Sequence, residues 1–185
     1  MTTSEPGVDV DQQDLVVQVC DDPAYFALLD PDAYDVDMPR WDLDTLSARI
    51  VEEMKAGRIV AWGCPEATLQ VRVTTRPLTA EQLGSVVASF TSTLATSGRL
   101  CLAGYTSLTM CAQFTKHRFP QGDDHLVAIA PGRYQATVHR RYAYQPGAQD
   151  VDGPLPEGDH VVIVLTPGEA TTELGTTIPW TPYPG

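Results

Sequence analysis

Long apolar runs are missing from this chain. The longest hold about five residues, against the roughly 20 that a membrane-spanning helix needs. Metal-site spacing is missing too. The four cysteines and four histidines form no C-x-x-C and no H-x-x-x-H pair, so a zinc site is not expected. A zinc ion held by His139 and His160 with Cys101 or Cys111 would need a long-range convergence that the spacing does not signal. There is no G-x-S-x-G elbow for a serine nucleophile and no glycine-rich phosphate loop. Gly57, Gly63, Gly98 and Gly104 stand alone as punctuation. Nothing local gives Cys20, Cys64, Cys101 or Cys111 the histidine or cationic surroundings that make a thiol reactive. An enzyme is therefore not expected, and no cofactor is implied.

Basic residues are nearly absent from the first quarter. Residues 1–44 hold twelve Asp or Glu against Arg40 alone, whereas residues 45–185 hold twelve acids and eleven bases. The body is close to neutral, and the N-terminal quarter carries most of the net charge of −12. Such a field repels nucleic acid and attracts a basic surface. The opening MTTSEPGVDVDQQD lacks the basic start and apolar stretch of a signal peptide. A cytoplasmic protein with reduced cysteines in or near its core is the expectation.

What is present describes a folded β-protein. Hydrophobic residues make up 43% and charged residues 19%, which fits a globular chain rather than a disordered one. The organising stretch is Leu126 to Tyr144, LVAIAPGRYQATVHRRYAY. Tyr134, Ala136, Val138, Arg140, Tyr142 and Tyr144 fall on one side of an extended chain, and Gln135, Thr137, His139 and Arg141 on the other. Period-two alternation puts one face on a core and the other in water. With the Pro131-Gly132 break, the stretch reads as the central hairpin of a β-sandwich. Arg140 and Arg141, with Arg133, Tyr142 and Tyr144, could stack on or pair with an anion, but the same alternation sends the two arginines to opposite faces, which breaks the patch.

Further strands are expected at Leu15–Cys20, Tyr25–Leu29, residues 85–95, Arg99–Ala103 and His160–Leu165. Arg58–Gly63 and Thr68–Thr74 read as a hairpin around Cys64-Pro65-Glu66. Leu46, Ile50 and Met54 recur at four-residue steps, predicting one long helix over 45–56 with Asp44 as N-cap and Gly57 as its stop. Thr79-Ala80-Glu81-Gln82 has the form of a capping box and predicts one helical turn at 80–84. Thr109–Phe114 reads as a strand. The expected organisation is a flexible lead-in over 1–13, one antiparallel sandwich domain over 14–166, and a Pro-rich trailing tail over 167–185.

The strand ending in Ser97-Gly98-Arg99-Leu100, a variable segment, and then Ala130-Pro131-Gly132-Arg133-Tyr134 leading into an alternating strand follow one another in an order that resembles the competence protein J family. The likeness covers residues 58–145. It implies a β-sandwich fold, and the family includes a nuclease inhibitor.

The candidate site is the acidic loop 30–44, DPDAYDVDMPRWDLD. Clustered carboxylates supply charge steering, and aromatic residues supply anchors. Asp30, Asp32, Tyr34, Asp35, Asp37, Trp41 and Asp42 are the candidate partner-binding residues. Calcium is the lesser reading, because no D-x-D-x-D-G loop with a closing Glu is present. A solvated loop is the plain one. The expected function is that of an acidic binding protein for a basic protein partner, such as an inhibitor or immunity protein of a nuclease. The alternatives are a small-molecule or enzymatic sandwich with its site between the sheets, and a structural subunit of a larger assembly.

Overall fold

The computed structural model describes residues 14–19, 25–34, 37–38, 40–114, 117–120, 124–145, 151, 153–171 and 175–181. The lead-in 1–13, Cys20, the Asp21-Asp22-Pro23 turn, Asp35 and residues 182–185 lie outside the described residues.

The chain is mainly β and forms two sheets. Its elements run β1 (Asp14–Val19), β2 (Tyr25–Leu29), α1 (Leu43–Lys55), β3 (Ile59–Gly63), β4 (Leu69–Thr74), α2 (Ala80–Gly84), β5 (Ala88–Thr96), β6 (Arg99–Gly104), α3 (Tyr105–Gln113), β7 (His125–Ala128), β8 (Gly132–Arg140) and β9 (Val161–Pro167). One sheet has the order β1-β4-β9-β8-β5 and the other β3-β2-β6-β7. All pairings are antiparallel except β4 with β9.

The two sheets face each other across a core that includes Phe26, Leu28, Trp62, Leu102, Val71, Leu94, Val138 and Ile163. The four-stranded sheet is covered on its other side as well. Leu46, Ile50 and Met54 of α1 and Leu108 and Ala112 of α3 pack on Tyr25, Ala27, Leu29, Ile59 and Cys101. Burial on both faces explains why β2 and β3 read YFALL and IVAWG, without alternation. β9 is interior to its own sheet, and Val161 to Leu165 are all buried.

Several expectations are corrected. Leu126–Tyr144 is not a hairpin, because β7 and β8 belong to different sheets. The chain crosses the sandwich at Pro131-Gly132, and β8 pairs instead with β5 and β9. The connection between β3 and β4 is the same kind of arch. The long helix is capped by Asp42 rather than Asp44. The Asp42 side chain accepts from Thr45 N, and Thr45 Oγ1 accepts from Asp42 N. A strand was expected at Thr109–Phe114, but Tyr105–Gln113 is helical as α3. The tail does not simply trail: Gly63 N donates to Pro179 O at 2.7 Å, and Ile178 is buried against the helix-side core.

Other expectations hold. The helical turn at 80–84 is present as α2, with its Thr79–Gln82 capping box, and β5 follows it. The inward set Tyr134, Ala136, Val138, Arg140, Tyr142 and Tyr144 is buried. No helix among the described residues is long and apolar enough to cross a membrane.

Candidate functional site

The acidic segment divides by burial. Asp30 follows β2 directly and is fully buried. Its Oδ1 accepts from Asp32 N at 2.8 Å and Ala33 N at 3.3 Å, and its Oδ2 accepts from Ser97 N. Burial pushes the Asp30 carboxyl up, but the hydrogen bonds from Ser97 and Asp32 outweigh it and hold the group below its ordinary range. Tyr34 is 5% exposed and packs against Phe119, with ring centres 5.9 Å apart and the rings tilted at 57°. Asp30 and Tyr34 therefore fold the segment rather than meet a partner, which corrects the expectation for both.

The remaining carboxylates face outward. Asp32 lies on the turn that Asp30 holds, paired with Arg99 at 2.7 Å, both side chains about half exposed. Asp37, Asp42 and Asp44 are exposed, and none of the three has a basic partner among the described residues. The hydrogen bonds from Thr45 keep the Asp42 carboxyl low and fully ionised at neutral pH. Trp41 is half-buried, packed beside Met38 and Leu43 on the helix-side core.

The described residues of the segment are anchored at several points. Asp30 and Asp32 tie its start to the arch between β5 and β6. Met38 N donates to Ala112 O of α3 at 2.7 Å, and Asp42 opens α1. A cleft of about 350 Å³ lies beside Asp44, lined also by Tyr25, Ser47, Val51, Thr177 and Ile178. In it the Tyr25 hydroxyl and Ser47 Oγ are 2.5 Å apart.

Nucleophilic and metal chemistry find little support in this geometry. Burial pushes the Cys101 thiol up to about 12 and the Cys111 thiol up to about 11, so neither is a thiolate at neutral pH. Cys64, Cys101 and Cys111 are buried. His139 bonds Ser89 on the outer face of its sheet. His160 Nδ1 accepts from Gln70 N, while Nε2 faces Pro156 O at 3.0 Å. Among the described residues no three His, Cys, Asp or Glu side chains converge as a metal site.

Sequence reasoning set one group aside. Arg140 closes the inward face of β8 and is 6% exposed. Its guanidinium carbon lies 4.9 Å from the ring centre of Trp180 and 5.6 Å from those of Tyr142 and Tyr144. Its Nε and Nη1 are buried without a hydrogen-bond partner. The signal was in the alternation, which already put this arginine in phase with Val138 and Tyr142.

No protein-family model matches the chain, and no curated protein matches it in sequence. Among solved structures it is similar to one described as crocagin biosynthetic gene J. The TM-score is 0.54 and the identity 17%, over 84% of this chain and 96% of that one. It is also similar to ComJ, inhibitor of the DNA degrading activity of NucA, from Bacillus subtilis. There the TM-score is 0.43 and the identity 11%, over 85% and 95% of the two chains. The likeness is one of fold.

Proposed function

We propose that this protein is a non-enzymatic acidic binding protein that docks on a basic partner protein, a nuclease being the most concrete case. The observation behind this reading is the set of exposed carboxylates Asp32, Asp37, Asp42 and Asp44 on a segment fixed to the β5–β6 arch, α3 and α1. A surface already fixed in place loses little conformational freedom on binding. Nuclease sites are basic because they hold phosphates, and a rigid row of carboxylates is complementary to them. Trp41, half-exposed among these charges, supplies apolar contact.

The test replaces Asp32, Asp37, Asp42 and Asp44 with Asn together. Shape is nearly kept, Asn caps a helix as well as Asp does, and an exposed ion pair such as Asp32–Arg99 is worth at most about 1 kcal/mol. The wild-type protein, added to an extract of its native cells, should slow DNA degradation there. The four-Asn variant should slow it less, and the gap should close as salt rises, because screening sets in over about 8–10 Å. Equal inhibition by both proteins at every salt concentration, or inhibition by neither, would refute the reading.

A further inference from the structure

A buried cation with no counter-charge is among the costliest groups a core can hold. Among the described residues every other buried charge is provided for. Glu53 is held between Arg49 and Arg58, Asp159 takes Arg72 at 2.7 Å and Gln70 at 2.8 Å, and Asp30 accepts three backbone N–H groups. Arg140 differs. Among the described residues no carboxylate pairs with it, and the three N–H donors carried by Nε and Nη1 are unspent. Aromatic faces offset part of the cost through cation–π attraction, but they accept no strong hydrogen bond. The hydroxyl of Tyr142, whose ring faces the guanidinium, is buried without a hydrogen-bond partner too.

We propose that Arg140 is the anchor of an anion-binding site at this end of the sandwich, taking a ligand with an oxyanion group, carboxylate or phosphate. A water would satisfy the N–H donors but not the charge, and a metal cation would be repelled. The walls fit a planar or apolar body carried by the anion, since Trp180, Tyr142 and Tyr144 surround the guanidinium. Trp180 comes from the tail, which lies against β3 so closely that a Cβ on Gly63 would fall 2.0 Å from Trp180 O. The site thus forms only when the tail is docked. It does not depend on the docking reading. The net charge of −12 disfavours loose anion binding elsewhere, so a saturable response would be specific.

The experiment titrates the full chain with inorganic phosphate and, separately, with benzoate, at ionic strength held constant with sodium chloride. Tryptophan emission and thermal midpoint are both recorded. The expected result is a saturable change in emission with a rise in midpoint for at least one probe. Preference for phosphate or for benzoate identifies the source of the oxyanion. Arg140→Met, which keeps the length and removes charge and donors, should lose the saturable change. Arg140→Lys keeps the charge without the planar fork and should bind about tenfold more weakly or worse. The proposal is overturned if wild type shows no saturation with either probe below about 10 mM, an affinity under about 3 kcal/mol, or if Arg140→Met responds as wild type does. The wild-type titration decides even if the Met variant does not fold.

Discussion

Asp30 and Asp32 stand two residues apart in one acidic run, and the structure assigns them opposite roles. Replacing Asp30 with Asn leaves one oxygen where two accepted. If that oxygen takes the place of Oδ1, it keeps the N–H groups of Asp32 and Ala33, and the amide NH2 then faces the N–H of Ser97. One charge-assisted hydrogen bond is lost, worth about 1.5–3 kcal/mol, and a buried donor is left unsatisfied at about 1–3 kcal/mol. Relief from burying a charge offsets part of this, so a net loss of about 2–4 kcal/mol is expected. Asp32→Asn breaks only a pair whose side chains are 52% and 51% exposed, so it should cost at most about 1 kcal/mol. Urea denaturation at pH 7 checks both, read as a shift in midpoint at constant slope. The difference should also depend on pH. The folded-state pKa of Asp30 lies below its ordinary 3.8, so its ionised form stabilises the fold fully above that value. The contribution fades as pH falls through 3.8 toward the lower folded value. The gap between wild type and Asp30→Asn should therefore narrow on acidification below about pH 4. Equal small losses for Asp30→Asn and Asp32→Asn at pH 7 would refute the assignment.

Two further substitutions test the scaffold. Gly63→Ala would place its Cβ 2.0 Å from Trp180 O and 2.5 Å from Thr181 Cα, both backbone atoms that cannot rotate away. The tail should detach, shifting tryptophan emission to the red and costing about 1–3 kcal/mol as overpacking does; unchanged emission would mean that the tail does not dock there. Tyr134→Ala removes a side chain 6% exposed whose hydroxyl donates to Ala130 O at 2.8 Å, and should cost about 3–5 kcal/mol. His139→Ala, on the outer face, gives up its 2.8 Å contact with Ser89 and should cost about 1 kcal/mol or less. Denaturation curves compare the two, and similar values would contradict the facing of β8.

The facing of each strand was legible in the sequence, but its partner was not. Alternation in β8 reports which side chains meet a core, and that information is the same in a hairpin and in an arch. The connections held a clue. Two-residue hairpin loops favour Asn-Gly or Asp-Gly, whereas this chain crosses between sheets at Cys64-Pro65-Glu66, Ser97-Gly98 and Ala130-Pro131. α1 was legible because its apolar residues recur at helical spacing. Its start was set two residues late because both Asp42 and Asp44 can cap, and only Asp42 has Thr45 at the position that completes the box. α3 was not legible at all. Its N-cap Gly104 makes no side-chain bond, and its β-branched Thr106 and Thr109 argue for a strand. Packing of Leu108 and Ala112 on the four-stranded sheet overrides that preference.

The acidic segment was legible as a cluster, yet the roles of its members depended on burial, which a run of like residues does not report. Two of the buried charges, Asp30 and Arg140, make the point from opposite sides. Asp30 looked like a surface group and proves self-sufficient: three backbone N–H groups satisfy it, and no ligand is needed to explain it. Arg140 was placed on the core face by period alone, and that placement is correct, but the fold supplies it with rings and no acceptor. A carboxylate so satisfied contributes to folding. A guanidinium so unsatisfied costs stability that the rest of the core must offset, and a bound oxyanion would return part of that cost. Anion binding should therefore appear first as added stability, in wild type and not in Arg140→Met.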